Sequence, residues 1–248
     1  MTRNRLKLND DKYKFLVISS KSQSSKLFKV DSIQIGDCSI SPKTQAKNLG
    51  YVTDEFMSPV PQINSIIRKM HLQMRALSRT RSNLNIDACQ SVVRALVTSH
   101  MNYANSFLLG APETALNKLQ IEQNSAACII TRTRKFDHIS AKLQKLHWLP
   151  VRVRVQFKAL VNVFKSIYSD TAPSYLKEHF DFYSPQRSNL RSSSDRSILR
   201  IPKYNKRSGE YAFSVRAAKM WNDLPKTLLE SSFIQSFKTN LKTYLFQK

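Results

Sequence analysis

Apolar side chains recur every three or four positions through the middle of the chain, and this spacing predicts helices. The first predicted helix follows Ser58-Pro59, a cap and a first-turn proline. A second runs from about residue 87 to 109 with Asn85 as its cap, and a third opens at Pro112. Together they predict a small three-helix bundle over residues 57–135. The apolar positions of the first helix are Ile63, Ile66, Ile67, Met70, Met74 and Leu77. The inward side of the second helix is predicted to carry Val92, Val93, Leu96, Val97, His100, Tyr103, Ala104 and Phe107.

Shorter β-rich runs precede this bundle. Residues 14–18, 33–35 and 49–52 each combine β-branched or aromatic side chains with polar flanks, which predicts short strands. Three or four such strands are too few for a domain of their own.

The last segment, residues 136–248, is less regular. Pro150 opens a predicted helix. A Ser-rich basic loop is expected at about 184–207, with one β-run at 198–201, and two helices at about 211–221 and 233–246 end the chain. The predicted fold class is therefore α+β and predominantly α. The inward positions of the Pro150 helix are Val153, Phe157, Leu160, Val161, Phe164 and Ile167.

The net charge of the sequence indicates what kind of partner this protein would bind. The 248 residues contain 40 Lys and Arg against 17 Asp and Glu, a formal net charge of +23. All three segments are basic. An excess of this size points to a polyanion, and nucleic acid is the first candidate. Because 41% of the residues are hydrophobic, the chain is also expected to fold rather than to act as a disordered basic tail.

Several function classes are excluded by what the sequence lacks. Four glycines do not form a dinucleotide-binding or P-loop motif. The cysteines Cys38, Cys89 and Cys128 are odd in number and far apart, so we expect neither a disulfide nor a zinc site, and a reducing compartment. Neither an apolar run of about 18 residues nor a signal peptide is present. We therefore expect no membrane partner and an intracellular protein, in the nucleus or the cytoplasm.

A set of short motifs, in order along nearly the whole chain, resembles one family. They are KNLGYVTD at 47–54, QNSAA at 123–127, LHWLPVR at 146–152, APSYL at 172–176, AFS at 212–214, WNDLP at 221–225 and SFK at 236–238. Each is weak alone, and their succession resembles the C-terminal part of jockey-like non-LTR retrotransposon reverse transcriptases. The resemblance implies residual palm strands over 1–56, a thumb-like helical bundle over 57–135 and a basic C-terminal region over 136–248.

The resemblance also implies that the chain is a truncated polymerase without activity of its own. The family polymerises with two magnesium ions, held by an early palm Asp and by an [FY]-[AV]-D-D hairpin. Neither motif is in this sequence, which resembles the family only downstream of that hairpin. The expectation is no cofactor, no upstream fingers and no N-terminal endonuclease. The resemblance places Lys12 near the phosphates of an incoming nucleotide, although Tyr13 stands where the family motif has threonine.

Asp10 and Asp11 are the one paired carboxylate that invites a metal interpretation, because paired aspartates serve two-metal phosphoryl transfer. The family's catalytic pair lies in an apolar turn between strands. Here the flanks are polar, with Lys7 and Asn9 on one side and Lys12 on the other. We therefore interpret the pair as a solvated turn and expect no metal site.

Basic residues on predicted helices and loops are the candidate contacts to nucleic acid. Such side chains follow a phosphate backbone by charge alone, although a solvated helix face and complementation of a helix dipole are the alternatives. For Trp148 we favour a core position over base stacking. The candidates are Arg68, Lys69, Arg75, Arg79 and Arg81 on the first helix, Arg132, Arg134 and Lys135 after the third, Arg152 and Arg154 near Pro150, and Arg187 and Arg191 in the basic loop.

The predicted function is backbone binding to RNA, DNA or their hybrid by a non-catalytic reverse transcriptase fragment, with the element's own RNA or an RNA–DNA hybrid as the expected partner. Two alternatives stay open. The chain could be a degenerate reading frame without a selected function, or a domesticated module whose helical bundle contacts protein. Salt-dependent binding to nucleic acid separates the first interpretation from the others.

Overall fold

A computed structural model of the protein describes residues 12–20, 22–23, 30–36, 38–134, 138–184 and 197–247. Over these residues the chain is α+β and mostly helical, with two small two-stranded sheets, which confirms the predicted class. Contacts divide the chain into two compact units, Met1–Ser65 and Ile66–Lys248. The palm, thumb and C-terminal assignments of the three sequence segments stay predictions.

Two β-hairpins form the sheets of the first unit. β1 (Ile33–Ile35) pairs antiparallel with β2 (Cys38–Ile40), and β3 (Gln45–Asn48) pairs antiparallel with β4 (Tyr51–Asp54). Leu49 and Gly50 connect β3 to β4 with φ of 47° and 85°. A two-residue turn with both central residues at positive φ matches the twist of a hairpin, which explains a glycine at the second position.

The strand predicted at 33–35 is confirmed, whereas those at 14–18 and 49–52 need correction. Phe15 makes one parallel bridge, to Pro42, and no strand forms around it among residues 12–20. Proline has no N–H, so the bridge does not extend on that side into a ladder. The strand predicted from Leu49 begins at Tyr51, because Leu49 is in the turn.

α1 (Val60–Thr80) confirms the first predicted helix and spans the boundary between the two units. The Ser58 hydroxyl accepts a hydrogen bond from the Val60 N–H at 3.3 Å, as expected for a capping residue. The Asp54 carboxylate accepts from the Ser58 N–H at 2.6 Å and so orders the approach to the helix. The apolar side chains buried along α1 are Ile63, Ile66, Met70, Met74 and Leu77.

The second predicted helix is interrupted. α2 (Ile86–Val92) begins as predicted, with the Asn85 carboxamide oxygen accepting from the Ala88 N–H at 2.8 Å. A π-helical segment, Val93–Thr98, follows, and α3 (Ser99–Asn102) completes the continuous part. Ala104 then adopts a left-handed conformation with φ of 50°, which ends α-helical geometry before the 3₁₀ turn Asn105–Leu108.

This interruption changes which side chains of the second helix point inward. Leu96, Tyr103 and Phe107 are exposed, contrary to prediction. Thr98 and Met101 are buried instead. The buried positions Cys89, Val93, Val97, Met101 and Asn105 are spaced by four, a longer repeat than the 3.6 residues of an α-helix, and a π-helical segment accommodates it.

Three helices continue the second unit: α4 (Glu113–Thr131), α5 (Ser140–Lys145) and α6 (Val151–Tyr168). α4 and α6 begin after prolines, as predicted. Two glutamine side chains join α4 to the start of α6. The Gln120 carboxamide oxygen accepts from the Val151 N–H at 2.7 Å, and the Gln123 carboxamide donates to the Leu149 carbonyl at 2.9 Å.

The C-terminal core lies between α6 and the last helices. Phe164 of α6 stacks on Phe237 with ring centroids 4.4 Å apart, and Trp221 packs beside both rings. The Trp221 indole donates to the Ser197 carbonyl at 3.0 Å. Of the six inward positions predicted for α6, Leu160, Val161 and Phe164 are buried in this core, and Val153, Phe157 and Ile167 are half-buried and pack against it. The remaining helices are α7 (Ser174–Lys177), α8 (Arg207–Glu210), α9 (Phe213–Asn222), α10 (Lys226–Leu229) and α11 (Ile234–Gln247).

The β-run predicted at 198–201 is present as a single antiparallel bridge between Phe182 and Leu199. A side chain, rather than a second strand, satisfies the Leu199 backbone. The Asn222 carboxamide accepts from the Leu199 N–H at 2.8 Å and donates to its carbonyl at 2.9 Å. Both backbone groups are therefore paired without a longer ladder.

Candidate nucleic-acid interface

Three arginines form one exposed stripe along α1. Arg68 and Arg75 are seven residues apart and Arg75 and Arg79 four apart, so their side chains project from the same side of the helix. The buried positions of α1 lie on the opposite side. We call Arg68, Arg75 and Arg79 the α1 arginine stripe; it extends about 16 Å along the axis. None of the three guanidinium groups makes a hydrogen bond or ion pair with another described residue.

Nothing on α1 offsets this charge, because the helix contains no Asp or Glu. Lys69 lies to one side of the stripe and is half-buried. Burial, and then the charge of Lys69, lower the pKa of His100. Lys69 is therefore near enough to His100 of α3 for its charge to act on that ring.

Arg81 does not belong to this exposed surface. Its side chain is buried, and the guanidinium donates to the carbonyls of Leu84, Ile129 and Ile130 at 2.6–2.7 Å. Ile129 and Ile130 are in the last turn of α4, where carbonyls lack partners within the helix and a cation is favourable. We therefore interpret Arg81 as a cap of α4 and leave it out of the proposed interface.

Arg132 does for the end of α1 what Arg81 does for the end of α4, since each arginine donates to carbonyls beside the other. It follows α4 in a left-handed conformation, with φ of 54°. Its Nη2 lies 3.2–3.4 Å from the carbonyls of Arg81, Ser82 and Leu84, just after α1. We call these two sets of bonds the reciprocal arginine caps. Arg132 is exposed and so keeps donors directed to solvent, while Arg134 is exposed beside it and Lys135 lies outside the described residues.

An open groove of about 740 Å³ lies between α1 and α4, beside the stripe. Arg75 and Arg132 contribute positive charge to it and Glu122 contributes negative charge, with the Glu122 carboxylate 3.7 Å from Nδ1 of His71. Because the groove carries both signs of charge, it is a weaker site for a polyanion than the stripe itself.

The two arginines predicted near Pro150 differ in environment. Arg152 is exposed and lies 3.4 Å from the Glu113 carboxylate, a surface ion pair of small energetic value. Arg154 is half-buried, and its Nη1 donates to the Asn102 carboxamide oxygen at 3.0 Å. Burial lowers the pKa of Arg154 to about 10, so the guanidinium is charged at neutral pH.

Trp148 is a core residue, as favoured from the sequence. Only 4% of its surface is exposed, and it lies between α5 and α6 in the chain. A ring buried to this extent does not offer a face on which a nucleic-acid base could stack.

The basic loop is described only in part. Arg187 and Arg191 lie outside the described residues. Arg200 and Lys203 are exposed and line an open cavity of about 410 Å³ together with the acidic side chains of Glu178 and Asp181. The described end of the loop is therefore mixed in charge.

A second group of basic side chains contains Arg154, a candidate from the sequence, and four others that were not among the candidates: Arg94, Lys158, Lys238 and Lys242. Lys158 of α6 is close enough to Lys238 of α11 for their charges to interact, and Lys242 interacts in the same way with Arg94 and Arg154. The available signal was the spacing: Arg154 and Lys158 are four apart, as are Lys238 and Lys242, on helices without acidic residues.

The described residues were also compared with the requirements of a membrane span, a disulfide and a metal site. No helix among them is both long and apolar enough to cross a membrane. Cys38, Cys89 and Cys128 are all free thiols. No group of three His, Cys, Asp or Glu side chains in the described ranges is placed to share a metal ion, and Asp10 and Asp11 lie outside those ranges.

No protein-family model, no curated protein and no solved structure matches this chain.

Proposed function

We propose that this chain binds the phosphate backbone of nucleic acid, and that it does so as a non-catalytic fragment similar to the thumb and C-terminal region of a non-LTR retrotransposon reverse transcriptase. The observation that carries the proposal is the α1 arginine stripe. It presents three exposed guanidinium groups, on a helix without acidic residues, opposite the buried side of that helix. Guanidinium groups bind phosphate oxygens in a bidentate manner without recognising bases.

The physical consequence is binding that depends strongly on salt and weakly on sequence. Each neutralised phosphate contributes about −0.9 to the slope of log K against log salt for duplex DNA, and about −0.7 for single strands. Three contacts from the stripe therefore account for about 2 to 3 units of slope. Element RNA or an RNA–DNA hybrid is the partner proposed from the family resemblance, in the nucleus or the cytoplasm.

The test compares two triple variants that each lower the net charge of +23 by three. The first changes Arg68, Arg75 and Arg79 to Gln. The matched control changes Lys47, Lys145 and Lys177 to Gln, which are exposed and lie on other elements. Affinity for single-stranded RNA, duplex DNA and a hybrid is measured by fluorescence anisotropy over a salt series.

We expect the stripe variant to bind every sequence more weakly and its slope to flatten by about 2 to 3. The control should keep most of the wild-type slope. Equal losses in both variants would show that total charge, not the stripe, determines binding. A strong preference for one sequence that the stripe variant retains would favour a domesticated module instead.

The proposal also includes the absence of polymerase activity in this chain alone. Neither the early palm Asp nor the [FY]-[AV]-D-D hairpin is in the sequence. Purified protein supplied with magnesium, nucleotides and a primed RNA template should therefore not extend the primer. Extension that is lost on changing Asp10 and Asp11 to Asn would overturn this part of the proposal.

A further inference from the structure

A second set of basic side chains lies along the contact between α6 and α11. Phe164 and Phe237 stack across this contact at 4.4 Å. On one side of these rings Lys158 is close to Lys238, and further along Arg154 is close to Lys242. In these pairs the residue number falls along α6 while it rises along α11. The two helices therefore run antiparallel, with their basic residues facing one another. We define the α6–α11 basic cluster as Arg94, Arg154, Lys158, Lys238 and Lys242.

The elements that form this cluster supply no negative charge. The segment 93–102, α6 and α11 contain no Asp or Glu. Burial, and then the charge of Arg154, lower the pKa of Lys158. Burial, and then the charges of Arg154 and Arg94, lower the pKa of Lys242. The fold therefore holds like charges close together at a cost in free energy, which a bound anion would relieve.

Arg154 is the most desolvated member of the cluster. Asn102 accepts one hydrogen bond from it, at 3.0 Å, while its Nε is buried without a hydrogen-bond partner among the described residues. A guanidinium group in this state interacts more strongly with a nearby anion than a solvated one, because less water screens its charge.

Arg94 reaches the cluster from the π-helical segment Val93–Thr98. π-Helical turns are rare and are frequent at functional sites, where they displace a side chain from the position that a regular helix would give it. The geometry therefore brings cations from three separate elements to one place.

We propose that the α6–α11 basic cluster binds a phosphate group that carries more than one negative charge. The chemistry fits two sources: the backbone of a nucleic acid, and a free polyphosphate such as pyrophosphate. The first source rests on the proposed function, whereas the second does not. A singly charged carboxylate would neutralise too little of five converging positive charges.

The probe is inorganic pyrophosphate, and its binding is measured by calorimetry and by the thermal unfolding of the whole chain. Sulfate at equal ionic strength serves as the reference anion. We expect pyrophosphate to raise the melting temperature more than sulfate does. Equal effects of the two anions would contradict a phosphate site and would indicate screening alone.

The variant changes Lys158 and Lys242 to Gln, and the matched control changes Lys145 and Lys177, which are exposed on other helices. Each cluster substitution should weaken pyrophosphate binding by about tenfold, while the control binds as the wild type does. Without anion, the cluster variant should melt at the same or a higher temperature than wild type, because repulsion has been removed. This result also establishes that the variant folds. Unchanged pyrophosphate affinity in the cluster variant would overturn the proposal.

Nucleic-acid binding by the same variant then identifies the source of the phosphate. If the backbone occupies the cluster, affinity for single-stranded RNA falls along with pyrophosphate affinity. If RNA affinity is unchanged while pyrophosphate binding is lost, a free polyphosphate is the ligand. The α1 stripe variant should still bind pyrophosphate, so a failure of the proposed function leaves the cluster site standing, and the reverse holds as well.

Discussion

Changing Arg81 to Met tests whether this arginine caps α4 or binds nucleic acid. Methionine keeps an unbranched side chain of similar length and removes the guanidinium. The three carbonyls that accept from Arg81 at 2.6–2.7 Å lose this donor, and only the Leu84 carbonyl keeps another, the longer contact with Arg132 at 3.4 Å. Each hydrogen bond to a charged group contributes about 1.5–3 kcal/mol.

The expected loss is smaller than the sum of the three bonds. Water can reach the half-buried Leu84 and Ile129 in the variant, and the guanidinium no longer has to be desolvated. We therefore expect the free energy of unfolding to fall by about 3–5 kcal/mol, below the sum of about 4.5–9 kcal/mol for three such bonds. For a chain of this size that corresponds to a fall in melting temperature of about 6–20 °C.

Circular dichroism during heating and in urea measures this loss, and Arg79→Met is the matched control. Arg79 lies two residues away on the exposed stripe, and its guanidinium makes no hydrogen bond or ion pair with a described residue. Its substitution should change stability by no more than about 0.5 kcal/mol while it weakens RNA binding. If Arg81→Met has the same melting temperature as the wild type and Arg79→Met has a lower one, the assignment of the two residues is wrong.

Three further predictions concern single side chains. Trp148→Ala should cost about 3–5 kcal/mol of stability, seen by urea unfolding, with RNA affinity of the folded protein unchanged; weaker RNA binding at unchanged stability would contradict its core position. Asn85→Ala should cost about 1 kcal/mol by the same measurement, because the Ala88 N–H loses its partner, and a neutral result would refute the cap. Burial, and then the charge of Asp54, raise the pKa of Tyr51 to about 12, above that of the unfolded chain. The neutral phenol thus stabilises the fold below about pH 10 and this contribution is lost as the pH rises toward 12, so Tyr51→Phe should weaken the pH dependence of unfolding in that range.

Helices that contact a core on one side were predictable from the sequence. α1, α4 and α6 keep a spacing of three and four in their buried residues, and prolines or Ser58 mark their first turns. The π-helical interruption of the second predicted helix was not predictable, because the buried residues there repeat every four positions. That pattern is almost as compatible with a regular α-helix, and the choice of a π-helical segment depends on what packs around it.

The candidate site was only partly predictable for a similar reason. Sequence spacing identified Arg68, Arg75 and Arg79 on one side of a helix, but it also included Arg81, which has the same charge and lies just past the helix end. Whether an arginine is exposed or caps another helix depends on contacts between residues about fifty positions apart. The α6–α11 basic cluster depends in turn on the packing of two helices separated by most of the C-terminal segment.

The reciprocal arginine caps close a loop in the chain. Apart from the bond between Arg81 and Leu84, they join residues 48 to 51 positions apart, so the segment from α2 to α4 is held at both ends without a covalent link. The entropy of closing a loop grows only with the logarithm of its length, so an insertion of ten residues on the surface between α3 and α4 would cost about 0.2 kcal/mol in closure. A cut in the same segment would instead make the closure an association between two separate pieces. This part of the protein should therefore tolerate added length far better than a broken backbone.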